Sequence, residues 1–400
     1  MHSQRRVTLS HKTYTTCLSW GRFIGSDAVG WIERCVTVNC KKTRMWHFRQ
    51  KNVAQHSGVF LCGDTPLDYA DSYRYLGLWF HVHCDMRYAV KELVKSASRA
   101  LGFLTHKYYS CGDMHYNVFT KLYESIVQPV LTYCSGVWGI CKYTEVYTVQ
   151  NRACRIFMGV SKTTPNLAVR GDIGWLDPQM KLYIETARLW CRLERLPDNR
   201  LTHKIHNWSK SHGKSWEGKV QRIFRDLGVS NILNSNSMSS SWVLKHLTIE
   251  LVSVDKANWY RGVHAMPKLR TYILLKSELR TETYVHLPRY KRSILASLRC
   301  GSLKLEIETG RFSKPPILPT DRLCKCCTNC VEDEQHFLID CNLYDDIRSR
   351  ELPNIFNNAL STNTANLIDL QTLLNNDTYI STVVRRPVTQ HHVSTQKIIL

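Results

Sequence analysis

Apolar and polar positions alternate with one period in the first part of the chain and with another afterwards. The first thirty residues show no clear period. From Val36 onward the spacing is close to two, in Val36-Thr-Val38-Asn39, Met45-Trp-His-Phe48 and Val59-Phe-Leu61, which predicts short strands. Gly63-Asp64 marks a turn, and Tyr73-Arg-Tyr75-Leu-Gly77-Leu-Trp79-Phe80 reads as a strand or hairpin arm. After Asp85 the period becomes helical: Val90, Val94, Ala97, Leu101 and Leu104 share one face, with Lys91, Lys95, Ser98 and Arg99 elsewhere. A second helix is predicted over 116–127, burying Phe119, Leu122, Tyr123 and Ile126, with Pro129 as its limit. Further helices are predicted over 145–158, 178–196, 242–260 and 267–279, with polar loops at 209–218 and 235–241. Short helices at 344–352 and 367–374 precede a polar, weakly ordered end, and no internal repeat is found. The expected fold class is mainly α with a small N-terminal β portion, an α+β chain.

Composition narrows the class. Four hundred residues, 43% of them hydrophobic, allow two or three domains with ample core. The most apolar stretch, 123–140, carries Glu124, Gln128 and Pro129 and reads as buried helix and loop, so no membrane partner is expected. Met1-His-Ser-Gln-Arg-Arg lacks the apolar core of a secretion signal. The expectation is an intracellular protein, nuclear or cytoplasmic, whose cysteines are mostly free thiols. Lys and Arg exceed Asp and Glu by 54 to 33, a net charge of +21, which points to a polyanion partner, RNA or DNA. The excess is concentrated: residues 1–51 hold ten Lys/Arg against Asp27 and Glu33, and residues 289–325 hold nine against three acids.

The cysteines carry the sharpest chemistry. Of sixteen, five fall between positions 324 and 341, and Cys324, Cys327, His336 and Cys341 follow Cys-x2-Cys-x8-His-x4-Cys. A Cys-x2-Cys turn presents two thiolates to one side of a tetrahedral zinc ion, and the later His and Cys close the other side. Such a set is closed, so its zinc folds a small unit and leaves no position for catalysis. The alternative is a group of unliganded apolar thiols. Cys326 and Cys330 form a competing short-spaced pair, and spacing alone does not choose between them.

Several blocks, in order, resemble the downstream half of a reverse transcriptase from a LINE-type (non-LTR) retrotransposon. Val38-Asn39-Cys-Lys-Lys42-Thr43-Arg-Met-Trp-His-Phe48-Arg49 resembles the end of the palm, with its Asn-x-x-Lys-Thr core. Asp71-Ser-Tyr-Arg-Tyr75-Leu76-Gly77-Leu-Trp79-Phe80 resembles the hairpin that grips the primer. Ser98-Arg-Ala-Leu-Gly102 through Leu131-Thr-Tyr133-Cys-Ser-Gly136-Val-Trp138-Gly139 resembles the helical thumb. Gln150-Asn151-Arg152-Ala153-Cys-Arg155, Thr164-Pro165 and Gly171-Asp172-Ile-Gly174-Trp175 are similar to the region after the thumb, and the stretch from Arg311 through Arg322 to Cys341 resembles the C-terminal knuckle. The resemblance implies a palm remnant over 1–83, a thumb over 84–140, a helical linker over 141–300, a basic segment and knuckle over 301–350 and a tail over 351–400.

It also implies roles. Lys42 and Arg49 belong to the palm block, Tyr75, Gly77 and Trp79 to the primer-gripping hairpin, and Lys91, Lys95, Arg99 and Lys107 to a phosphate-contacting thumb helix. In the knuckle Arg322 and Lys325 are the candidate phosphate contacts and Phe337 a candidate base-stacking ring. The polymerase chemistry itself needs carboxylates holding two magnesium ions. In the family these precede the Asn-x-x-Lys-Thr block, where this chain has Asp27 as its single Asp. Tyr69-Ala70-Asp71-Ser72 imitates the catalytic turn but replaces its second carboxylate with Ser, and Asp345-Asp346 lies beyond the knuckle. Lys42 is a general-acid candidate without metals to serve, and His81-Val-His83-Cys84-Asp85 is a weaker metal candidate. The expected function is a nucleic-acid-binding fragment of an RNA-directed DNA polymerase, holding structural zinc and inactive alone. The alternatives are part of an active polymerase, with magnesium bound once the palm is complete, and a non-functional relic.

Overall fold

The computed structural model describes residues 43–62, 65–229 and 239–346. Lys42, the strand expected at Val36–Asn39 and the helix expected at 367–374 lie outside the described residues. The chain divides into two compact units, Met1–Lys95 and Ser96–Leu400.

In the first unit the period-two segments form two antiparallel hairpins. Strands β1 (Phe60–Cys62) and β2 (Thr65–Leu67) pair with Phe60 opposite Leu67. Strands β3 (Ser72–Tyr75) and β4 (Leu78–His81) pair with Tyr75 opposite Leu78, leaving Leu76-Gly77 as a two-residue loop. Leu76 at φ 46° and Gly77 at φ 90° give this loop the left-handed backbone whose twist matches the flanking strands. Met45 meets Tyr69 in an isolated parallel bridge, so the alternation at Met45–Phe48 yields one bridge rather than a strand. Trp46 fills the space above β3 and β4, with its ring 5.1 Å from Tyr73 and 6.1 Å from Phe80.

Helix α1 (Met86–Ser110) starts after Asp85, whose carboxylate accepts from the Arg87 N–H at 2.9 Å. Of its expected apolar stripe, Val90, Ala97, Leu101 and Leu104 are buried and Val94 is half-buried; Tyr108 is buried as well.

The second unit is helical. Helix α2 (Tyr116–Leu122) runs into a π turn (Tyr123–Val127) and on into α3 (Gln128–Leu131). Pro129 was expected to end the helix and does not. The π turn shifts the ladder so that the Gln128 N–H donates to the Tyr123 carbonyl, and Pro129 enters at the start of the next helical turn, where no N–H is required. Helix α4 (Ser135–Trp138) follows Cys134 at φ 55°. Helices α5 (Thr144–Met158), α6 (Asn166–Ile173) and α7 (Pro178–Leu193) come next, α5 and α6 each closed by a left-handed glycine, Gly159 and Gly174. Of the polar loop expected over 209–218, residues 211–215 connect α8 (Leu201–Lys210) to α9 (Trp216–Asp226), while its ends belong to the two helices. Helix α10 (Ser240–His264), capped by Ser239, extends the helix expected over 242–260 at both ends. Helices α11 (Arg270–Leu275), α12 (Arg289–Arg299) and α13 (Glu306–Thr309) complete the body.

Two apolar clusters anchor these helices. Ala187, Trp190, Val220, Phe224, Val243 and Leu247 join α7, α9 and α10. Ala168, Trp259, Val263, Leu269, Tyr272 and Cys300 join α6, α10 and α11 to the end of α12. A buried ion pair crosses between them: Arg170 Nη1 donates to both oxygens of Asp255, at 3.0 and 2.8 Å. The mainly helical body with a small two-sheet β portion agrees with the expected class. Among the described residues no helix is long and apolar enough to cross a membrane.

Candidate metal centre

Residues 322–344 form a small irregular unit built on a single bridge, Leu323 opposite Val331. The Cys324 N–H donates to the Cys330 carbonyl at 2.8 Å and the Glu332 N–H to the Arg322 carbonyl at 3.0 Å, so the two sides of a tight loop are tied. Inside the loop the Thr328 N–H reaches the Cys324 carbonyl at 2.9 Å, and Thr328 takes a left-handed φ of 53°. This turn brings Cys324 and Cys327 side by side. The Cys326 N–H points back at Cys324 Sγ at 3.4 Å.

His336 and Cys341 come from the other side. The Asp333 carboxylate accepts the His336 N–H at 2.9 Å and starts a π turn over His336–Asp340. The Cys341 N–H closes it on the His336 carbonyl at 2.8 Å. A π turn returns to the same face after about 4.4–5 residues, because its bonds run i to i+5. The x4 interval between the last two ligands is therefore the interval this turn requires.

The four side chains converge. One donor atom from each of Cys324, Cys327, His336 and Cys341 lies within 4.8 Å of all the others. Cys341 Sγ is 3.9 Å from Cys324 Sγ and 3.8 Å from Cys327 Sγ. Thiolates about 2.3 Å from one tetrahedral zinc ion stand about 3.8 Å apart. The His336 ring is buried, and its Nε2 has no hydrogen-bond partner among the described residues. An unpaired buried ring nitrogen costs about 1–3 kcal/mol, and a metal ion removes that penalty. Spacing left Cys326 and Cys330 open as ligands; both are exposed and outside the converging set. A Cys3His group able to hold a metal ion such as zinc is thus present, with all four donors from one short segment.

No family model, curated protein or solved structure matches this chain.

Electrostatics at the group is uneven. The Asn342 N–H, above all, holds the Cys327 thiol below its ordinary range despite its own desolvation. Burial pushes the Cys341 thiol up to about 12, opposed by the Leu343 N–H and reinforced by the Cys327 and Cys324 sulfurs. Three thiolates this close repel one another, so a divalent cation is what lets all three ionise together.

The acidic run Glu332-Asp333-Glu334 does the docking. Glu332 accepts the Glu306 N–H of the first turn of α13 at 2.7 Å. Glu334, fully buried, takes Arg270 at both oxygens, at 2.9 and 2.7 Å, and the Thr271 hydroxyl at 3.2 Å. Arg322 and Phe337, expected as nucleic-acid contacts, are both buried instead. Arg322 is buried, donating to the Ile307 carbonyl at 2.6 Å and to the Ile317 carbonyl at 3.0 and 2.8 Å. It is a clip between the knuckle and α13. Phe337 is buried with its ring edge-on to Tyr344 at 5.1 Å. The exposed ring in this region is Phe312, at 68%. Lys325 stands in solvent, its ammonium 2.6 Å from Glu306.

The other expected residues lie elsewhere. Tyr75 is exposed at the hairpin tip beside Gly77, and Trp79 is half-buried, its ring 5.8 Å from Tyr88. Arg49 is half-buried and 3.5 Å from the exposed Asp71 carboxylate. On α1, Lys91, Lys95, Arg99 and Lys107 are all exposed; Lys95 pairs with Glu92 at 2.6 Å and Arg99 bonds Ser96 Oγ at 3.0 Å. Asp71, His81, His83, Cys84 and Asp85 belong to no metal-capable group among the described residues. His81 and His83 are spent on backbone, the His81 ring facing the His83 N–H and the His83 ring the Arg49 carbonyl. Asp345 and Asp346 are exposed.

Proposed function

We propose that this chain is a nucleic-acid-binding region of a LINE-type retrotransposon reverse transcriptase, with zinc folding its C-terminal knuckle. The observation that carries this reading is the ready-made Cys3His set in a chain of net charge +21. The hairpin with its exposed Tyr75 and the exposed basic residues of α1 support it in the primer-gripping and thumb blocks. The knuckle offers Lys325 for phosphate and Phe312 for a base. Zinc here is structural, because four protein donors leave no open position. The chain binds RNA or DNA and, with no paired catalytic carboxylates, does not by itself join nucleotides; magnesium enters only with a completed palm.

The test is a double change, Cys324→Ser with Cys327→Ser. One zinc ion per chain is lost, and affinity for single-stranded RNA falls on the order of tenfold through the lost stacking and phosphate contacts. Unchanged RNA affinity in the zinc-depleted variant overturns the reading. Templated primer extension by the 400-residue chain with magnesium overturns the inactive part of it.

A further inference from the structure

We propose that the outward face of α8 is a docking surface for an acidic amphipathic helix of a partner protein. The inference is independent of the nucleic-acid reading. Leu201, Ile205 and Trp208 stand at i, i+4 and i+7, so they line one face of the helix over two turns. Each is more than half exposed. The helix is amphipathic but set with its apolar side out, and its inner side shows what holds it there. His203 and His206 are buried, with His203 Nδ1 3.0 Å from the Leu193 carbonyl and His206 Nε2 2.8 Å from Glu194 Oε1. The Lys210 ammonium reaches the same carboxylate at 2.9 Å. Turning the apolar stripe inward would break these contacts and leave polar groups stranded.

Spacing, side-chain type and charge choose the occupant. Apolar anchors at i, i+4 and i+7 are what one helix offers to another, ridge against groove. Trp is among the residue types most enriched at interface hot spots, and the Trp208 ring is propped by His212, with centroids 4.3 Å apart. Leu201 and Ile205 have no π face for a base and no donor for a phosphate, so a nucleic acid would leave them in water. The surrounding charge has one sign. From 200 to 225 there are seven Lys/Arg, all exposed, and the single acid, Glu217, is buried. Lys204 lies on the stripe itself, between Leu201 and Ile205. At its far end the Arg222 guanidinium lies 3.5 Å from the Gly213 carbonyl. Asp198, just before the helix, is turned to its inner side, 3.1 Å from His203 Nε2. Such a face attracts an acidic partner and repels a second copy of itself.

The full chain is titrated by fluorescence anisotropy with a labelled synthetic helical peptide carrying leucines along one face and glutamates elsewhere. The peptide binds, and a version with lysines in place of the glutamates does not. Trp208→Ala leaves the charge unchanged and weakens the acidic peptide on the order of tenfold. Lys204→Glu, also an exposed change, weakens it by about fivefold at low salt, the worth of a surface ion pair. Both variants keep the wild-type melting temperature and RNA affinity. No binding of the acidic peptide, or equal affinity in wild type and Trp208→Ala, overturns the proposal. RNA affinity that falls in Trp208→Ala assigns the face to nucleic acid, and a dimer that Trp208→Ala dissociates in sedimentation assigns it to a second copy. Anionic phospholipid vesicles bound by wild type and not by Trp208→Ala assign it to a membrane surface. Each of these three results overturns the proposal.

Discussion

Single side chains in this molecule often take the place opposite to the one their chemistry suggests. Arg292 is fully buried, its guanidinium spread over the carbonyls of Phe157, Val285 and Leu287, the Tyr108 hydroxyl and the Asp113 carboxylate. Arg299 and Arg322 are buried as well. Three of the basic residues that make 289–325 look like a phosphate-binding stretch are therefore internal fasteners, and the accessible charge there is smaller than the sequence count. Lys181 is a further case. Its ammonium lies 5.4 Å from the Trp175 ring centroid and 5.8 Å from that of Tyr123, and 2.9 Å from Gln128 Oε1. Burial brings its pKa down to about 8. Between that value and the unfolded lysine value of about 10.4 the unfolded chain binds more protons, so this residue makes stability rise with pH across that window. Denaturant unfolding at pH 8 and pH 10 compared with Lys181→Met checks it: the variant lacks this rise, and an identical slope in both contradicts it. At the exposed Phe312, substitution by Ala is expected to weaken RNA binding by about 1–3 kcal/mol if the ring stacks on a base, with the melting temperature unchanged.

Among the elements, those with an apolar stripe facing inward were legible. Helices α1, α5, α7 and α10 follow the predicted helical period, and the β3–β4 hairpin follows from alternation around Gly77. Helix α8 is not announced by the sequence, because its pattern is inverted. Leu201, Ile205 and Trp208 are exposed, at 71%, 53% and 55%, while His203 and His206 face the interior. Helix α9 buries Glu217 and α12 buries two arginines, which hides both from a reading of apolar period. The knuckle was legible for the reverse reason: its four donors lie within one short segment. The knuckle also depends on a contact the sequence did not announce, Arg270 to Glu334. Arg270→Met leaves the Glu334 carboxylate buried without its partner, a loss of about 3–5 kcal/mol. Chemical denaturation should register that loss; a change below about 1 kcal/mol, the worth of a surface pair, contradicts the docking role.

For the whole molecule, the net charge of +21 underlies the proposed polyanion partner, and the converging Cys3His donors form a group able to hold a metal ion such as zinc. On the proposed reading, a strong salt dependence is the signature of binding. The direct measurement is fluorescence anisotropy of the zinc-loaded chain with a labelled single-stranded RNA, titrated from 50 to 200 mM salt. Each phosphate neutralised contributes about −0.7 to the slope of log affinity against log salt, so six contacts lower affinity on the order of a hundredfold or more across that range. A steep linear fall of this kind is the predicted result. No binding at the lowest salt, or an affinity that salt leaves unchanged, contradicts it.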